Sequence, residues 1–151
     1  MLRIRVYLDN CAYNRPFDDQ SQIRIFLESQ AKLHIQHLIV NKELTLAYSY
    51  MSIYENNDNP HWERCFSIEN FFNHASDYVD SGKAEIIEPN ASSIMKNNIK
   101  NKDAIHIACA IEAGCDYFIT TDDNLIKKYT GNDIIICGPV DFIKILEEKD
   151  G

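Results

Sequence analysis

Asp9, Asp103 and Asp122 each stand where an apolar segment begins or ends. Asp9 closes the strand-like run Ile4-Arg5-Val6-Tyr7-Leu8, Asp103 opens a helical run from Ala104 to Ala110, and Asp122 follows Tyr117-Phe118-Ile119-Thr120. Carboxylates brought together this way repel one another unless a hard divalent cation neutralises them. The chemistry they suggest is magnesium-dependent cleavage of phosphodiesters. Asp123 is an alternative to Asp122, and Thr120 and Thr121 are placed to bond a metal's waters or a phosphate. Glu55 is a further candidate, with Glu43, Glu63 and Glu69 as competitors. Each acid also has an ordinary use: Asp9 as a turn former, Asp103 and Asp122 as helix-start residues, Glu55 as a surface helical residue. His106, three positions after Asp103, reads as lining the helix surface, with substrate contact as the alternative.

Such residues need a scaffold that points them into one crevice, and the order of segments supplies one. Strand signals at Ile4–Leu8, Glu43–Tyr48, Ala84–Glu88, Tyr117–Thr120 and Ile134–Cys137 alternate with helical signals. The helices are expected at Ser21–Val40, Ser49–Glu55, His61–Val79, Ala91–Ile99, Asp103–Glu112, Asn124–Lys128 and Val140–Glu148. Pro89 is expected to end the third strand, and Gly114 to make a tight turn before the fourth. Such alternation predicts an α/β fold, a three-layer α/β/α sandwich around a mainly parallel sheet of four to five strands. In sheets of this kind, sites form beyond the carboxyl ends of the strands where strand order reverses. Asp9 and Asp122 both fall at such ends.

A length of 151 residues fits one domain spanning 1–151, large enough for a core without disulfides. The five cysteines, Cys11, Cys65, Cys109, Cys115 and Cys137, lack zinc-ligand spacing and read as reduced, mostly buried thiols. No apolar run reaches membrane-span length and the start does not read as a signal peptide, so the expected location is the cytoplasm. A net charge of −8 argues against a general nucleic-acid coat protein but leaves a nuclease open, since a metal-binding site contributes negative charge itself. Arg15, Arg64, Lys96, Lys100 and Lys102 are the candidate phosphate contacts, with Asn97–Lys102 as the best substrate loop. The aromatic run Trp62, Phe66, Phe71 and Phe72 reads as core, with a homodimer interface as its alternative.

The ordered set Asp9, Glu55, Asp103 and Asp122, with Lys102-Asp-Ala-Ile-His-Ile-Ala-Cys-Ala110 and Tyr117-Phe-Ile-Thr-Thr-Asp-Asp123, resembles a PIN domain. This nuclease family includes the toxin ribonucleases of bacterial toxin–antitoxin pairs, and the resemblance runs over essentially the whole chain. It implies one or two Mg²⁺ or Mn²⁺ ions held by Asp9, Asp103 and Asp122, with Glu55 as the mid-chain helical acid. It further implies hydrolysis of RNA to 5′-phosphate and 3′-hydroxyl ends, an antitoxin partner, and homodimers. Asn10 and Cys11 depart from the family's usual polar residues after the first aspartate. Asn14–Asp19 is more polar than the toxins' apolar run, which leaves Arg15 near a phosphate. Two other readings remain: a non-catalytic PIN-like module that binds RNA or protein, and a phosphatase or phosphotransfer domain using Asp9 as nucleophile. The latter is disfavoured because the position two after Asp9 holds Cys11, where such sites need a second acid.

Overall fold

A computed structural model describes residues 3–150. Five parallel strands lie in the order β3-β2-β1-β4-β5, where β1 is Arg5–Leu8, β2 Thr45–Ser49, β3 Asp77–Val79, β4 Tyr117–Ile119 and β5 Ile135–Cys137. The central strand β1 is buried almost throughout, as a parallel sheet covered on both faces requires. Its side chains alternate between two cores. Tyr7 packs with Ala47 and Phe118 against the helices α5 (Ala84–Met95) and α6 (Asn101–Glu112). Val6 and Leu8 point the other way, toward α2 (Ile23–Val40), α4 (Trp62–Phe71) and α8 (Pro139–Asp150), with Ile35, Phe71 and Phe142. This is the expected α/β/α sandwich.

The turn at Gly114 also has its expected form. Gly114 takes φ +72°, donating its N–H to Ile111 O while Cys115 N bonds Ala110 O. That pair of bonds is the Schellman closure of a helix C-terminus, which glycine enters without steric cost. It aims the chain straight from α6 into β4.

Two segments differ from the sequence expectation. Ala84–Glu88, expected as a strand, is the first turn and a half of α5, and the helix continues through Pro89 to Met95. Ile87 and Ala91 are buried there at i, i+4 spacing, so burial of a helical stripe outweighs the β-like local sequence. The expected helix His61–Val79 stops at Phe71, and the edge strand β3 is formed by Asp77–Val79 instead. Of the aromatic run expected in the core, Phe71 and Phe72 are buried, but Trp62 is 73% and Phe66 62% exposed. Cys109, Cys115 and Cys137 are buried, Cys11 and Cys65 half-buried, and all five are free thiols. No helix among the described residues is long and apolar enough to cross a membrane.

Candidate functional site

Strand order reverses between β2 and β4 on either side of β1, and Asp9 and Glu55 come together with His106 near the end of β1, while Asp103 and Asp122 lie outside that close group. Asp9 leaves β1 in an extended conformation and starts the short helix α1 (Asn10–Asn14). Its carboxylate is buried and held on both sides: Oδ1 accepts from Asn10 N at 2.8 Å, Oδ2 from the Thr120 hydroxyl at 2.8 Å. Asp9 N donates to Ile119 O at 2.9 Å, which fixes the residue against the end of β4. Beside it the Cys11 thiol is pushed up to about 12, first by burial and then by the Asp9 charge, so it stays neutral. Asn10 serves through its backbone N–H.

Glu55 comes from α3 (Tyr50–Asn57), whose start is fixed by a capping box between Ser49 and Ser52. Its carboxylate meets Nε2 of His106, which is fully buried on α6. Burial alone would raise the Glu55 carboxyl, but the His106 bond and the nearby charges of His106 and Lys102 leave it lowered. On its other nitrogen, Nδ1, His106 lies 2.6 Å from the Tyr7 hydroxyl, which also lies 2.6 Å from Ser49 Oγ and 3.0 Å from Ser52 Oγ. The histidine expected on the helix surface is therefore interior, joined to both a core tyrosine and a site carboxylate. Its spacing from Asp103, three residues along one helical stripe, puts it on the same side of α6 without telling surface from interior.

Asp103, in the first turn of α6, has its carboxyl raised to about 6, first by burial and then by the Asp9 charge, with Asp122 and Glu55 adding to it. The four carboxylates thus share one electrostatic neighbourhood. Asp122 caps α7 (Asp123–Lys128), its Oδ1 accepting from Asn124 N and Leu125 N at 3.0 and 3.3 Å. Its own N–H donates to Thr120 Oγ1 at 3.1 Å, so one hydroxyl links the Asp9 carboxylate to the Asp122 backbone. Asp123 points elsewhere, in a two-pronged pair with Arg24 at 2.7 and 2.8 Å that lowers its carboxyl. Thr121 is buried and touches Cys11 Sγ through its N–H. Arg15 is engaged by Glu28 at 3.0 Å and Asp18 at 3.2 Å rather than turned toward a phosphate.

One oxygen each from Asp9 and Glu55 and one ring nitrogen of His106 lie within 4.8 Å of one another, the span of a single cation's shell. With Asp103 alongside, the donor set is anionic, oxygen-rich and preorganised by Thr120, Asn10 and Tyr7. It fits a divalent metal.

Among known proteins, no family model and no curated sequence matches the chain. Solved structures do. VapBC2 from Rickettsia felis, bound to a DNA fragment from its promoter, is similar over 88% of this chain and 97% of that one, with TM-score 0.54 and 16% identity. FitAcB from Neisseria gonorrhoeae is similar over 89% and 97%, with TM-score 0.56 and 14% identity. PAE2754 from Pyrobaculum aerophilum is similar over 97% and 90%, with TM-score 0.56 and 15% identity. At such identities the likeness is one of fold, and the fold is PIN-like, as the two C-terminal motif blocks implied.

Proposed function

We propose that the chain is a Mg²⁺- or Mn²⁺-dependent endoribonuclease, and that it is the toxin of a toxin–antitoxin pair restrained by a separate antitoxin chain. The observation that carries the nuclease reading is the convergence of Asp9 and Glu55 to ligand distance, with Asp103 close by, where strand order reverses. The toxin reading is supported by the motif blocks together with the fold.

Asp9, Asp103 and Asp122 would hold the ion. Bound there, a divalent metal neutralises charge growing on the phosphoryl oxygens and lowers the pKa of a water. Thr120 and Asn10 keep the Asp9 carboxylate from rotating, so its geometry is set before substrate arrives. Glu55, at ligand distance from Asp9, would orient the attacking water and take its proton. Lys102 stands next to Asp103 with Nζ 5.3 Å from the Tyr54 ring centroid, and this exposed pair supplies a cation and a stacking face for an RNA strand.

The test is cleavage of a mixed single-stranded RNA pool with Mg²⁺ or Mn²⁺, wild type against Asp9→Asn. Metal-dependent cutting by the wild type and a loss of at least ~100-fold in the variant are expected. Equal cutting by both would exclude this site. An absence of cutting, with no metal bound in calorimetry, would favour the non-catalytic binding module.

A further inference from the structure

α2 turns polar residues inward and apolar ones outward. Glu28, Ser29 and Lys32 are buried with Ile35 and Ile39, while Ile23, Phe26, Leu27, Leu33 and Val40 are between 42% and 71% exposed. The inward polar groups hold this rotation in place. Glu28 accepts from Arg15 Nε at 3.0 Å and from Arg24 Nε at 3.4 Å, and Ser29 Oγ reaches Ile25 O at 2.7 Å and Arg15 O at 2.9 Å. The Lys32 ammonium lies 5.6 and 5.8 Å from the Tyr13 and Phe71 ring centroids. At 3.6 residues per turn the outward apolar residues fall on one face with Gln30, His34 and His37, and that face runs the ~25 Å of the helix. The helix's charged residues, Arg24, Glu28 and Lys32, lie off it. Along the first turns the stripe borders a groove of about 350 Å³, where Ile126, Pro139 and Val140 join Ile23 and Leu27.

Single exposed apolar side chains are ordinary, but an aligned set of them marks a contact surface. Charge decides what it contacts. A nucleic acid or an anionic membrane needs Lys and Arg along the stripe, and a basic protein needs acids there; the stripe has neither. Two chains of net charge −8 meet at least cost where neither presents a charge, which is the condition this face meets. The spacing suits a second copy as well. A two-fold axis between Gln30 and Leu33 sets Ile23 and Leu27 of one helix against Val40 of the other. With Val140, the apolar residues expose on the order of 500 Å², and Gln30, His34 and His37 bring the face toward the ~800 Å² per partner of a stable interface. We propose that the outward stripe of α2 is the interface of a two-fold homodimer of this chain, anchored by Ile23, Leu27 and Leu33. The dimer does not depend on the metal chemistry.

Sedimentation equilibrium of the full chain, from about 1 to 100 μM, reads its mass directly. The wild type should dimerise with a Kd of about 10 μM or tighter. The double variant Leu27→Glu, Leu33→Glu should keep the wild-type circular dichroism, since both side chains face solvent, and associate at least ~100-fold more weakly. Phe66→Glu charges an exposed aromatic residue of α4 instead, and should leave the dimer unchanged. Should the double variant not fold, Ile23→Glu, at the most exposed position of the stripe, takes its place with an expected weakening of at least about tenfold. A wild type that stays monomeric across this range would overturn the proposal and give the stripe to a different chain. A dimer that survives the folded α2 variants, or that Phe66→Glu dissociates, would overturn it by placing the interface elsewhere.

Discussion

Asp103 shows what clustering costs a single residue. Its folded-state pKa of about 6, against an ordinary 3.8, means the native state holds the proton more tightly than the unfolded chain. The stability this contributes is fully present below about pH 4 and is lost as pH rises through about 6. Metal-free Asp103→Asn lacks that titration. Its thermal midpoint should depend less on pH between about 4 and 6 than the wild type's, and it should gain relative stability above that window. Equal slopes in a calorimetric pH series would show that Asp103 does not feel its neighbours. At this scale the strand end at Asp9 and the helix starts at Asp103 and Asp122 were legible in the sequence. His106 was not. An imidazole in an apolar helix looks the same in sequence whether it lines a surface or completes a buried network, and the tyrosine that distinguishes the two lies 99 residues away.

Among the elements, α5 holds the clearest conflict between local sequence and fold. Ala84-Glu-Ile-Ile-Glu88 has the look of a strand and Pro89 of its end, but the segment gains more by burying Ile87 and Ala91 as one helical stripe against the α6 side of the core. Proline within a helix removes a hydrogen bond and crowds the preceding turn. Pro89 is exposed, so replacing it creates no cavity. Pro89→Ala should therefore stabilise the protein by roughly 1–3 kcal/mol in denaturant unfolding. A destabilised variant would mean that proline's restriction of the unfolded chain outweighs the helical hydrogen bond it removes. The three-residue strand β3 escaped detection for a related reason: Asp77-Tyr78-Val79 is too short to show period-two alternation, and its pairing with Ala47, Tyr48 and Ser49 defines it. Long segments such as α2 and α6 carried their own periodicity and were legible.

On the scale of the molecule, alternating segments disclosed the sandwich, whereas the order β3-β2-β1-β4-β5 arises from pairings that no single segment encodes. The net charge of −8 and the close pair of Asp9 and Glu55 mean that a cation bound there would stabilise the folded chain. An ion that binds only the folded state at 100 times its dissociation constant adds about 2.7 kcal/mol. For a chain of this size the melting temperature should rise by roughly 5–10 °C on adding Mn²⁺ and fall back with a chelator. Asp9→Asn should show a much smaller rise in the same melt. An equal rise would put the stabilising ion elsewhere.

The placement of β1 at the centre of the sheet bears on how the protein is made. The first strand synthesised is bordered by β2, available soon after, and by β4, whose residues 117–119 come from the last quarter of the chain. Asp9 cannot receive the Thr120 hydroxyl, nor Glu55 meet His106, until those two partners have been translated. A site assembled in this order stays incomplete until β4 has joined the sheet.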